Sequence, residues 1–251
     1  MENRRIHYYE EIDSTNTEIG RLAAKGAAHG TVVVAERQTA GKGRRGRTWE
    51  SPAEDNIYLS VLLRPQMDVN KAPMLTIVMA YSVATAIQRA GFESVQIKWP
   101  NDLVLSGKKV CGILTEMQLQ GSVIDHIVVG VGINVNMKAF PEEISQMATS
   151  LYRECGRLLD KRLLIEDILE KFEEMYERFL LEEDLSFVQE EYNQMLVNCG
   201  REVVVLEPGN EYTARAIGMN STGELIVKTA EGEERAIFAG EVSVRGIYGY
   251  I

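Results

Sequence analysis

A glycine-punctuated basic loop set between two strand-like runs restricts the folds open to this chain more than any other feature. Residues 38–49 read Gln-Thr-Ala-Gly-Lys-Gly-Arg-Arg-Gly-Arg-Thr-Trp, so that Lys42, Arg44, Arg45 and Arg47 interleave with Gly41, Gly43 and Gly46. The β-branched run Thr31 to Arg37 leads in, and the apolar run Asn56 to Leu63 follows. The spacing Gly41-x-Gly43-x-x-Gly46 formally matches the dinucleotide-binding fingerprint, which opens a helix directly after a strand. Here Arg47-Thr48-Trp49-Glu50-Ser51-Pro52 runs through a proline into another strand, and lysine and arginine stand where helix-to-strand packing requires small side chains. A Walker A loop fails as well, because Lys42 is followed by Gly43 and no glycine stands five residues before Gly41. The loop therefore joins strand to strand.

Such a loop is suited to an anion. Glycines let backbone N–H groups approach a ligand, and arginines present planar forks to carboxylate or phosphate. A basic run is often only a solvated surface turn, but this one belongs to a chain with a formal net charge of −10. That balance argues against bulk nucleic acid, whose binding draws on a broad basic face, and favours a small anionic ligand. With 251 residues and 45% hydrophobic content the chain can bury a sizeable core, as one large domain or two unequal ones. Cys111, Cys155 and Cys199 are too few and too far apart for a disulfide framework or a zinc pattern, which suits a reducing cytoplasm. The first residues lack an apolar signal core, and the apolar stretch Ile124 to Val135 is broken by Asp125, His126 and glycines, so no membrane segment is expected.

Ile6 to Ile12 alternates as a strand, and Asp13-Ser14-Thr15-Asn16-Thr17-Glu18 opens a helix with Thr15 and Glu18 spaced as a capping box, ending at Gly26. Asn70 is placed to cap a helix running to about Ala90, with Gly91 as its stop. Val95 to Lys98, Leu103 to Leu105, Lys109 to Gln118 and Ile124 to Asn136 follow as strands of an antiparallel meander, separated by turn residues. Thr149 to about Leu196 has helical period, with breaks at Gly156 and near Asp184 and a cap at Asp160. Beyond Gly200 the texture changes to short runs, Glu202 to Leu206, Glu211 to Met219, Glu224 to Thr229 and Glu234 to Phe238, punctuated by Pro-Gly, Ser-Thr-Gly and Glu-Gly turns, the pattern of a small barrel.

Three further constellations are weak singly. Lys98-Trp99-Pro100-Asn101-Asp102 ends a strand in a turn carrying an amide and a carboxylate; Lys109-Val110-Cys111-Gly112-Ile113-Leu114-Thr115-Glu116 heads an apolar strand with a lysine; Gly130-Val131-Gly132-Ile133-Asn134 sets two glycines in a strand. Taken in order with the basic loop and the Asp13-Ser14-Thr15-Asn16 block, they resemble the biotin protein ligases from about Ile12 to Asn136, with a weaker echo in the C-terminal runs.

That resemblance implies an α+β fold: a mixed, largely antiparallel sheet with flanking helices, as in class II aminoacyl-tRNA synthetases, over residues 1–197, plus an SH3-like barrel over 198–251. It implies ATP-dependent formation of biotinyl-adenylate and transfer of biotin to a lysine of a biotin carboxyl carrier domain, with Mg²⁺ assisting. It assigns Ser14, Thr15, Asn16 and Gln38 to biotin, Gly112, Gly130 and Gly132 to the pocket floor, and Gly41, Lys42, Gly43, Arg44, Arg45 and Arg47 to a loop closing over the adenylate. Trp49, Asn101, Asp102 and Asn134 fall on the nucleotide side, Lys109 at the activated carboxyl, and Asp102 serves either the magnesium or the target lysine's proton. One departure is Lys42, where the family usually carries the first arginine of the run, so the charge stays and the bidentate fork is lost. Only twelve residues precede Asp13, which points to the ligase-only class without DNA binding. Whether two chains pair as a homodimer is left open. The lipoate ligases share this chemistry, and a nucleic-acid module using the barrel is the alternative from another class.

Overall fold

The computed structural model describes residues 5–47, 49, 56–207, 210–238 and 243–246. The expected proline lead-in at 50–55, Thr48, the Pro208-Gly209 turn and the side chain of Arg45 lie outside what is described. In chain order the elements are β1 (Ile6–Ile12), α1 (Thr15–Ala24), β2 (Val32–Gln38), β3 (Ile57–Leu63), α2 (Met74–Arg89), β4 (Gln96–Lys98), β5 (Asp102–Leu105), β6 (Lys108–Gln120) and β7 (Val123–Ile133). Then come α3 (Leu151–Cys155), α4 (Lys161–Glu182), α5 (Gln189–Met195), β8 (Glu202–Glu207), β9 (Asn210–Met219), β10 (Leu225–Thr229), β11 (Glu234–Ile237) and β12 (Ser243–Gly246).

Strands β1 to β7 form one seven-stranded sheet in the order β1-β2-β3-β7-β6-β5-β4. Only β1 and β2 run parallel, joined by the α1 crossover; the other pairs are antiparallel. The sheet is covered on both faces, which is why β3 is buried at every residue and apolar except at Ser60 and the Tyr58 hydroxyl. On one face Val34, Leu59, Val61, Val129 and Val131 meet α2 and α4; on the other Val33, Leu62 and Val128 meet Ile19 and Ala23 of α1. The Ser106-Gly107 turn between β5 and β6 has φ of 50° and 75°, the left-handed pair a tight hairpin requires.

Two helix starts differ from expectation. Helix α1 begins at Thr15 with Ser14 extended at its cap and no side-chain cap bond, because the polar side chains of residues 14–16 turn into the protein instead. Helix α2 begins at Met74, behind Pro73; Asn70 lies in a short 3₁₀ turn whose cap is Asp68, the carboxylate accepting from Asn70 N at 2.8 Å. The stops at Gly91 (φ +101°) and Gly156 (φ +71°) and the Asp160 cap of α4 are where residue chemistry placed them.

The C-terminal strands form a separate five-stranded sheet, ordered β11-β10-β9-β8-β12, in which β12 was not anticipated. Its inner residues, among them Val203, Val205, Ala216 and Val227, join the same apolar cluster as the large sheet. Trp99, 2% exposed, donates Nε1–H to Gly223 O at 3.0 Å across that junction, and Leu185 N donates to Ser221 O at 2.7 Å. No helix among the described residues is long and apolar enough to cross a membrane.

Candidate active site

The site lies on the α1 face of the sheet, just beyond the helix N-terminus. Arg64, at the end of β3, bonds Ala23 O at 2.9 Å and Ala27 O at 3.2 Å and so fixes the far end of α1. The helix N-terminus is thereby held over the middle of β3 and β7. Gln38, the last residue of β2, accepts from Thr15 N at 2.8 Å, and its Oε1 stands 3.1 Å from Thr15 Oγ1. Ser60 Oγ of β3, wholly buried, stands 2.7 Å from Thr15 Oγ1 and 2.6 Å from Asn16 Oδ1. Asn16 Nδ2 donates to Leu114 O at 3.3 Å and to Glu116 Oε2 at 2.7 Å. The neutral side chains of Thr15, Asn16, Gln38 and Ser60 form a hydrogen-bonded floor, tied at one edge to the Glu116 carboxylate.

Glycines in β6 and β7 make the trough beside it. Register pairs Gly112 with Gly132 and Leu114 with Gly130. A Cβ at Gly130 would lie 2.0 Å from Asn16 Oδ1, and one at Gly132 or Gly112 would lie 2.7 or 2.8 Å from the Trp49 indole, which rests in the trough. These positions need glycine for close approach of side chains, not for backbone freedom.

Cations form the opposite wall. Arg44 Nη1 donates to Asn101 Oδ1 at 2.9 Å; Asn101 Nδ2 donates to Asp102 Oδ1 at 3.1 Å and Ile113 O at 3.1 Å; Lys109 Nζ meets Asp102 Oδ1 at 2.6 Å. Lys109 Nζ also stands 5.0 Å over the Trp49 ring. Gly112 leaves room for that lysine, since a Cβ there would come 3.1 Å from Lys109 Nζ. The loop itself is closed by Gly43 N donating to Arg47 O at 2.7 Å, with Gly46 at φ +72°.

Of the residues picked from the sequence, Ser14, Thr15, Asn16, Gln38, Lys42, Gly43, Arg44, Trp49, Asn101, Lys109, Gly112, Gly130 and Gly132 line one recess, together with Ile113, Leu114 and Val131. Asp102 stands behind Lys109 as its ion-pair partner, and Gly41 contributes its carbonyl to Trp49 N at 2.9 Å. Arg47 is exposed. Asn134 does not line the recess: it is buried and donates Nδ2–H to Thr149 O at 3.0 Å, because the strand ends one residue earlier and turns it toward the following loop. The Trp49 indole lies against the Gly112 and Gly132 pair. Ser60 and Glu116 were missed. Each looks like a polar strand residue facing water, and only the pairing of β3, β7 and β6 brings them under α1. Among the described residues that line the recess are the cations Lys42, Arg44 and Lys109 and no histidine, a lining suited to anion binding and electrostatic stabilisation. Burial pushes the Cys111 thiol up, keeping it an inert part of the core.

A family model described as Biotin/lipoate A/B protein ligase family matches residues 8–134, and one described as Biotin protein ligase C terminal domain matches residues 199–245. The chain is 34% identical over 241 residues to the bifunctional ligase/repressor BirA of Bacillus spizizenii, covering 94% of this chain and 73% of that protein. It is 31% identical to the biotin ligase for acetyl-CoA carboxylase of Paracoccus denitrificans, covering 93% of this chain and 98% of the relative. Among solved structures, biotin protein ligase from Aquifex aeolicus in complex with biotin and ATP superposes with a TM-score of 0.84 at 33% identity, over 96% of this chain and 99% of that one.

Proposed function

The chain belongs to the biotin/lipoate A/B protein ligase family, and from that membership we propose an ATP-dependent biotin protein ligase. Biotin's carboxylate attacks the α-phosphorus of ATP, releasing pyrophosphate; the amine of a carrier-domain lysine then attacks the mixed anhydride, forming the amide and releasing AMP. The match of residues 199–245 to the biotin-ligase C-terminal family disfavours lipoate and the nucleic-acid module.

The observation that carries the reading is the convergence, in one recess, of the uncharged floor at Ser14, Thr15, Asn16 and Gln38 with the cations Arg44 and Lys109. A buried, uncharged set of donors and acceptors suits a neutral cyclic urea, which would otherwise lose its hydrogen bonds to water on entry. The glycine trough accommodates the thin bicyclic ring once the Trp49 indole lifts from Gly112 and Gly132. Both chemical steps gather negative charge at the far end of that ring. Lys109, oriented by Asp102, holds first the carboxylate and then the adenylate oxygens; Arg44, oriented by Asn101, offsets charge on the phosphate. Asp102 is also assigned to take the proton of the incoming amine, as the carboxylate paired with Lys109 beside the recess. Residues 41–47 serve as the lid that shields the anhydride from water.

Magnesium has no cage built for it: among the described residues no three His, Cys, Asp or Glu side chains cluster, and Asp102 Oδ1 is engaged by Lys109 and Asn101. The residues fit a Mg²⁺ that arrives on the phosphates of ATP, where it offsets phosphate charge, better than one resident on Asp102. The acceptor is a biotin carboxyl carrier domain in the cytoplasm, with 1–197 as the catalytic unit and 198–251 as the C-terminal one. The test mixes the protein with biotin, MgATP and an apo carrier domain and probes the carrier with streptavidin, with lipoate in parallel. ATP-dependent labelling is expected; pyrophosphate exchange with lipoate alone would move the assignment to the sister enzymes.

A further inference from the structure

We propose that Glu116 is a positioning residue that couples the 41–47 loop to the biotin-binding floor; this rests on the ligase reading above. Its two carboxylate oxygens are divided between the parts that must act together. Oε2 accepts from Asn16 Nδ2 at 2.7 Å, and Oε1 stands 3.5 Å from Lys42 Nζ.

On the floor side, the consequence is a direction for protons. Asn16 faces two acceptors, Glu116 Oε2 and Leu114 O, so its nitrogen is fixed there and its oxygen faces Ser60. Ser60 has one proton for two oxygens, Thr15 Oγ1 at 2.7 Å and Asn16 Oδ1 at 2.6 Å. Asn16 Oδ1 has no hydrogen of its own and takes it. Thr15 can then give its proton to Ser60, and the chain Thr15 to Ser60 to Asn16 ends on the charge of Glu116. In that arrangement Thr15 Oγ1 and Gln38 Oε1 both offer lone pairs to the recess, which matches the N–H groups of a urea. Without Glu116 the Asn16 amide keeps only the longer bond to Leu114 O, Ser60 turns back to Thr15, and the Thr15 hydroxyl donates instead to Gln38 Oε1, 3.1 Å away.

On the loop side, the Lys42 pair contributes little to stability, because the two side chains are 46% and 42% exposed. Its effect is geometric. Lys42 is held over the floor by the same group that orients Asn16, so a floor ordered by biotin offers the loop its anchoring carboxylate. The replacement of the usual arginine by lysine fits this arrangement, since a point charge needs one oxygen and leaves the other to Asn16.

The experiment measures biotin affinity by calorimetry without ATP, release of preformed biotinyl-adenylate, and Tm, for Glu116→Ala, Glu116→Gln, Lys42→Ala and the Glu116→Gln/Lys42→Ala pair. Loss of a hydrogen bond to a charged acceptor predicts biotin binding about tenfold weaker in Glu116→Ala. Glu116→Gln, which still offers Asn16 an oxygen, is expected to recover most of that affinity. Glu116→Gln and Lys42→Ala should each speed adenylate release by about threefold, and the double variant should be no faster than either, the mark of a shared interaction. Biotin binding by Glu116→Ala at the wild-type level, no rescue by glutamine, additive release rates, or a Tm loss beyond about 5 °C would each overturn the proposal, the last by making Glu116 structural. Failure of the unsubstituted protein to bind biotin would instead overturn the ligase reading.

Discussion

Gly130→Ala should cost both stability and ligand binding, and the size of the cost follows from what the added methyl meets. An ideal Cβ there lies 2.0 Å from Asn16 Oδ1 and 2.8 Å from its Cγ. A carbon–oxygen contact needs roughly 3.4 Å, so the amide must retreat by about 1.4 Å. Asn16 is 6% exposed and cannot retreat without stretching its bonds to Ser60 at 2.6 Å and Glu116 at 2.7 Å. Overpacking costs about 1–3 kcal/mol, and breaking one of these two buried hydrogen bonds adds about 1 kcal/mol, giving roughly 2–4 kcal/mol in all. For a chain of this length that is a Tm loss of about 5–15 °C. Gly132→Ala is the control. Its Cβ would lie 2.7 Å from Trp49 Nε1, but Trp49 is a half-buried loop side chain that can lift away, so stability should change by less than about 1 kcal/mol while the methyl obstructs the trough. Thermal unfolding and biotin calorimetry on both variants decide the matter. Gly130→Ala melting within about 2 °C of the parent and binding biotin normally would refute the reasoning.

Lys109→Ala should lower biotin-dependent ATP–pyrophosphate exchange by at least about 100-fold, as loss of a preorganised charge does, with Tm within about 3 °C; a collapse of stability would make Lys109 structural. Trp99 is buried at the sheet junction, so of the two tryptophans Trp49 should report biotin binding by a change in fluorescence, and a signal that survives in Trp49→Phe would contradict the displacement of its indole. Arg21 hydrogen-bonded to Asp13 holds that carboxyl below the usual range, so the pair stabilises the fold above about pH 4 and the contribution is lost as pH falls through the depressed value. Asp13→Asn should therefore melt slightly below the parent at pH 7, and the gap should close in acid; a gap that widens toward low pH would reverse the sign. The effect is small because the Asp13 side chain is 35% exposed.

Local chemistry made much of this molecule legible. The β-branched run that became β2 and the largely apolar run that became β3 are readable as strands, and Gly91, Gly156 and Asp160 end or begin helices for reasons contained in those residues. The basic loop lies between two strands, as the failure of the helix-opening motif required. Resemblance then picked out the blocks that meet at the recess. What no local pattern contains is which side chains touch once strands distant in sequence lie side by side. Asp102 meets Lys109 because β5 pairs with β6 through a register shift after Leu103, opposite a glycine that leaves space for the lysine. Ser60 and Glu116 join the floor because β3, β7 and β6 are neighbours and α1 is held across them. Asn134 falls outside because its strand ends at Ile133. Propensity, caps and turns act over a few residues and so can be read from a chain; hydrogen-bond partners and close approaches at a sheet surface are set by register and packing, which exist only after the chain has folded.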